Sequence, residues 1–117
     1  ETKSNDKMIL NIGLNYGGQS EIVRASKNIC KDIIDGKISL DDIDTESFKN
    51  YLYTTGQDDL DLLIRPSGEL RVSNFLLYQL AYSEFYFSNI LWPDFHENDF
   101  YKAIYDFQKR NRRYGGL

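Results

Sequence analysis

Three consecutive apolar residues, Leu62-Leu63-Ile64, run directly into Arg65-Pro66-Ser67-Gly68, and few folds accommodate that order. A short apolar run bounded by turn residues reads as a buried strand, and this one delivers Arg65 to the strand's end. Pro66 biases Arg65 toward an extended conformation and opens a turn that Ser67 and Gly68 complete. Arg71 and Ser73 follow six and eight residues after Arg65, ahead of a second apolar run, Phe75 to Tyr82, that reads as a helix. Ser73 suits the N-cap of that helix, which would set free N–H groups and the positive dipole end beside two guanidiniums. Such a combination binds anions, and phosphate or diphosphate is its natural guest. Glu69 and Glu84 are the nearby carboxylates that could hold a metal for that guest.

The remaining segments place this loop in an α/β fold. Met8 to Leu14 reads as a strand and Asn15-Tyr16-Gly17-Gly18 as a turn. Apolar residues at Ile22, Val23, Ile29, Cys30, Ile33 and Ile34 recur with helical period over Gln19 to Asp35, and Gly36 supplies a stop. Cys30 on that face is expected to be a buried structural thiol. Thr45 is the expected N-cap of a short helix from Glu46 to Tyr53. The acidic runs around Asp41 and Asp58 lack metal-ligand spacing and read as solvated loop charge. Glu84 to Phe87 reads as the next strand, Trp92-Pro93 as a break, and Glu97 to Arg112 as a final amphipathic helix. His96 beside that helix start is expected to have a surface or capping role rather than to catalyse. Strands separated by helices imply a mostly parallel sheet flanked by helices, with ligands bound beyond the strands' carboxyl ends.

At 117 residues the chain is one domain at most. A net charge of −4 argues against non-specific nucleic-acid binding. The lone Cys30 allows neither an internal disulfide nor a zinc site. No apolar run approaches the roughly 20 residues of a membrane span. A soluble, cytoplasmic protein with at most peripheral membrane contact is expected. Residues 1–7 read as a polar lead or a cut end.

The spacing of Arg65, Glu69, Arg71, Ser73, Asn74 and Phe75, with LWPDF after it, closely resembles the C-terminal signature of the cis-prenyltransferases. The bacterial members of that family are the undecaprenyl diphosphate synthases. NYGG at 15–18 and RRYGG at 112–116 extend the resemblance to nearly the whole chain after Met8. It implies that residues 8–117 form the C-terminal half of a single domain, whose catalytic aspartate lies in a preceding segment with no match here. The chain alone is therefore expected to be inactive.

The implied activity is addition of isopentenyl diphosphate units to an allylic diphosphate such as farnesyl diphosphate, giving a long polyprenyl diphosphate. In bacteria that product, undecaprenyl diphosphate, would be the lipid carrier for cell-wall precursors. By the resemblance, Arg65, Arg71, Val72 and Ser73 bind isopentenyl diphosphate. Arg113 and Gly115, in the Arg-x-Gly tail motif, reach across a homodimer to the partner's diphosphate site. Glu84 contributes to binding Mg2+, while Glu69 either touches metal or orients the arginines by salt bridge. Three departures stand out: Gln19 where arginine often follows the two glycines, Pro66 where threonine is frequent, and Leu70, which excludes the metal role of a histidine there. Two other readings stay open, a non-catalytic subunit of a heteromeric enzyme and a phosphate-binding module without catalysis.

Overall fold

The computed structural model describes residues 4–111. Its elements run α1 (Gly18–Ile34), α2 (Thr45–Lys49), β1 (Leu62–Arg65), β2 (Glu84–Phe87) and α3 (Glu97–Lys109), with 3-10 turns at Leu40–Asp42, Gln79–Tyr82 and Trp92–Asp94. β1 and β2 pair in parallel, Leu62 opposite Glu84 and Arg65 opposite Phe87. Glu84 N–H to Asp61 C=O (2.9 Å) and Ser88 N–H to Arg65 C=O (3.0 Å) extend the ladder at both ends. The fold class is α/β, a small parallel sheet flanked by helices.

The helix expected over 19–35 is α1, and it buries Glu21, Ala25 and Ile29, spaced four apart on one face. Its other row is uncovered: half-buried Ile22 and exposed Val23, Ser26, Cys30 and Ile34 line an open apolar surface. Cys30 is accordingly exposed, not buried, because α1 is apolar on two sides and only one is covered. α2 is shorter than expected and is capped by Asp44 instead of Thr45. Asp44 accepts the N–H of Ser47 (2.7 Å) and of Glu46 (3.0 Å), while Ser47 Oγ accepts the Asp44 N–H in return. Those bonds, the one from Ser47 first, hold the Asp44 carboxyl below its ordinary range. His96 occupies the N-cap position of α3, as expected, and donates its N–H to Asp99 (3.2 Å).

Met8 to Leu14 is not a strand. Met8, Ile9, Leu10, Ile12 and Leu14 are all exposed, and among the described residues no strand lies beside them to take their backbone hydrogen bonds. The buried apolar set is correspondingly small: Ala25, Ile29, Leu52, Leu80 and Ala103. The radius of gyration is 17.4 Å, where a compact domain of this length has about 13 Å. The described fold is open, with apolar faces uncovered. None of its helices is long and apolar enough to cross a membrane.

Candidate functional site

Arg65 ends β1 at the sheet's carboxyl edge, half-buried, where parallel sheets bind their ligands. Its Nε is buried and meets no acceptor among the described residues. Burying a donor without a partner is unfavourable, so this nitrogen calls for an acceptor beyond the described residues. The turn after it is pinned to the chain beyond β2, by Ser67 N–H to Ile90 C=O (2.7 Å) and Gly68 N–H to Ser88 C=O (2.8 Å). Ser67 (φ 73°) and Gly68 (φ 69°) both take the left-handed conformation that folds the chain back sharply.

Arg71 is exposed on the same loop, and Glu69 Oε2 holds its guanidinium at 2.8 Å. Glu69 thus orients an arginine by salt bridge. Val72 is half-buried, and its carbonyl accepts the Phe75 N–H (3.0 Å). Ser73 is exposed but caps no helix. Ser73 (φ 50°), Asn74 (φ 64°) and Leu76 (φ 44°) are all left-handed, which no helix tolerates, so the segment turns until the 3-10 piece at Gln79–Tyr82. The expected helix dipole beside the arginines is therefore absent from these residues. Left-handed non-glycine residues are held only where their surroundings over-determine them, and they gather at functional sites.

The structure does not bring Glu84 to this loop. Glu84 starts β2 opposite Leu62, three residues behind Arg65 along the pair, or roughly 10 Å at strand rise. Its Oε2 accepts from Arg110 Nη1 at 2.8 Å, and the same nitrogen reaches Phe85 C=O at 2.8 Å. Arg110 Nε and Nη2 bind Asp106 (3.0 and 2.5 Å), so one guanidinium ties the end of α3 to the start of β2. Among the described residues no three histidines, cysteines or carboxylates converge to hold a metal ion. Within the described residues Glu84 is paired with an arginine. Arg113 and Gly115 lie outside the described residues.

A buried polar hub beneath α1 escaped the sequence reading. Glu21, fully buried, accepts from Tyr16 Oη, from Tyr53 N–H (2.6 Å) and from Gln79 Nε2 (3.2 Å). Desolvation first, and then the Glu21 hydrogen bond, push the Tyr16 phenol above its ordinary value, keeping it a donor. Arg24 stacks over the Tyr53 ring at 3.8 Å and donates to Tyr51 C=O (2.8 Å). The available signal was positional: Glu21 shares the spacing of Ala25 and Ile29, and a carboxylate on a buried face must find donors.

The comparisons with known proteins agree on one family. Residues 1–115 match the prenyltransferase family model described as "Putative undecaprenyl diphosphate synthase". An isoprenyl transferase of Clostridium perfringens is 56% identical over 117 residues, all of this chain and 46% of that protein. One from Bacillus subtilis is 51% identical, again over all of this chain and 45% of the relative. The chain spans less than half the length of these curated relatives. Among solved structures, lavandulyl diphosphate synthase from Lavandula x intermedia, in complex with dimethylallyl diphosphate, superposes with a TM-score of 0.84 at 41% identity, covering 87% of this chain and 44% of that one. A probable undecaprenyl diphosphate synthase from Campylobacter jejuni superposes with a TM-score of 0.70 at 34% identity, covering 87% and 45%.

Proposed function

Because this chain belongs to the undecaprenyl diphosphate synthase family of prenyltransferases, we propose that it supplies the isopentenyl diphosphate site of a cis-prenyltransferase. The intact enzyme would add isopentenyl units to an allylic diphosphate such as farnesyl diphosphate, yielding a long-chain polyprenyl diphosphate. Undecaprenyl diphosphate, the cell-wall lipid carrier, is the product we assign, made by a cytoplasmic homodimer. The observation that carries this reading is Arg65: a half-buried guanidinium at the carboxyl end of β1, its Nε without an acceptor among the described residues, on one loop with Arg71 and Ser73.

The chemistry asks for what this loop offers. In each addition the C–O bond from the allylic carbon to its diphosphate breaks, and diphosphate leaves with the electron pair. The double bond of isopentenyl diphosphate supplies the electrons of the new C–C bond. A proton then leaves the isopentenyl unit to restore an alkene. The isopentenyl diphosphate group itself does not react, so its role is to be gripped while its double bond faces the allylic carbon. Two arginine forks suit that task, since each matches two phosphate oxygens, where a lysine offers a point charge. Holding the alkene in place supplies several kcal/mol of barrier reduction.

The segment carrying the catalytic carboxylate would cover the open faces of this chain, including the exposed row on α1 and the strand-like run from Met8 to Leu14. A magnesium ion would need ligands beyond the described residues, with Glu84 released from Arg110. Arg113 and Gly115 would complete the partner's diphosphate site.

The test is incorporation of radiolabelled isopentenyl diphosphate into a solvent-extractable polyprenyl product by the intact protein. Label should enter only when an allylic diphosphate is present, and this chain alone should give no turnover. Phosphate binding without incorporation in the intact protein would favour a module without catalysis and overturn the proposal.

A further inference from the structure

The downstream end of the arginine loop is fastened by a residue with no assigned part in the reaction. We infer that Asn74 is a positioning residue, which locks Arg71 and Ser73 to the N-terminus of α1 so that the isopentenyl diphosphate site keeps its shape; this presupposes that the loop is that site.

The first N–H groups of any helix lack partners within it. In α1 the N-cap is Gly17, which has no side chain to accept from them. Asn74 does so from far along the chain, with both of its oxygens. Its backbone carbonyl takes the Gly18 N–H at 2.7 Å, and its Oδ1 takes the Gln19 N–H at 2.9 Å. Presenting both oxygens to one helix end goes with the left-handed backbone at Asn74, which asparagine tolerates better than most residues.

The two glycines make the approach possible. A Cβ on Gly18 would sit 2.8 Å from Leu77 Cγ, 3.0 Å from Leu77 N and 3.1 Å from the Asn74 carbonyl oxygen. One on Gly17 would sit 2.9 Å from Asn74 Nδ2. Gly17-Gly18 therefore serves as clearance for the arginine loop. Phe75 adds a third fastening, its ring packed edge-on against Tyr16 at 5.6 Å.

Upstream of this latch the chain is loosely held. Arg71 is exposed and its one ion pair among the described residues is to Glu69, while Ser73 is exposed. The place of both is set by the residue that follows them, and small displacements of positioning groups are expensive in catalysis.

The experiment is steady-state kinetics on the intact enzyme with Asn74→Ala and Asn74→Asp, each substrate varied in turn. Asn74→Ala should raise KM for isopentenyl diphosphate about tenfold and KM for the allylic diphosphate less than about twofold, the split expected of one displaced binding group. Asn74→Asp keeps the side-chain acceptor and should recover most of the loss. An unchanged isopentenyl diphosphate KM, or equal rises for both substrates, overturns the inference.

Arg71→Ala serves as the control. If it too leaves that KM unchanged, the loop is not the site and the proposed function falls along with the latch. If it alone raises KM, only the latch falls. Should Asn74→Ala fail to fold, amide hydrogen exchange on the unmodified enzyme decides. Saturating isopentenyl diphosphate should slow exchange at Gly18 and Gln19 by about threefold or more, since a closed latch opens less often. Exchange that ignores the ligand contradicts it.

Discussion

The two halves of the arginine loop are anchored in different ways. Arg65, Ser67 and Gly68 are fixed by backbone hydrogen bonds to β2 and the residues after it, so the first guanidinium is set by the sheet. Arg71, Val72 and Ser73 hang between a surface ion pair and the Asn74 latch, so the second is set by a helix end. A sheet-fixed arginine is pre-organised and loses little freedom on gripping a phosphate. A surface arginine must be aimed, and here Glu69 and α1 aim it. One loop thus combines a rigidly held arginine with an adjustable one.

Removing the rigidly held arginine should have the largest effect. Arg65→Ala should raise KM for isopentenyl diphosphate by about a hundredfold or more in the intact enzyme, the scale of a truncated buried charge pair. A smaller effect than that of Arg71→Ala would reverse the ranking of the two halves. Gly18→Ala attacks the other anchor by driving a Cβ into Leu77 and the Asn74 carbonyl. It should lower stability by about 1–3 kcal/mol, as overpacking does, measured by urea denaturation.

Tyr16, which backs Phe75, links the second half of the loop to pH. Its pKa lies above the ordinary 10.0, so the folded state holds the phenolic proton more tightly than the unfolded state. The stability this confers is complete below pH 10 and is lost as pH rises through the folded value. Tyr16→Phe should flatten the alkaline fall in melting temperature; an unchanged alkaline profile would detach Tyr16 from the account. Glu69→Gln should have the smallest effect, changing KM for isopentenyl diphosphate about two- to threefold, because exposed ion pairs contribute about 0–1 kcal/mol.

Much of this loop was legible in the sequence because its parts are local. An apolar run, a Pro-Ser-Gly turn and Glu84 to Phe87 define β1, the bend and β2 without reference to anything distant. The segment after Ser73 was not legible, for it reads as a helix by composition and is held out of one by bonds to Gly18 and Gln19. No local rule reports that Asn74 will be claimed by a helix end elsewhere in the chain. Met8 to Leu14 fails for the opposite reason: its pattern is that of a strand, but a strand exists only with a partner. The buried place of Glu21 was available from its spacing to Ala25 and Ile29, while its donors, Tyr53 and Gln79, come from distant segments.

The central claim is that Arg65, Arg71 and Ser73 form a diphosphate site, and the most direct test is a binding titration. Calorimetry of isopentenyl diphosphate against the intact enzyme and its Arg71→Ala variant should show binding weakened by about thirtyfold or more, near the 2 kcal/mol of a lost charged hydrogen bond. Equal affinity in the two proteins would contradict the claim and place the diphosphate elsewhere.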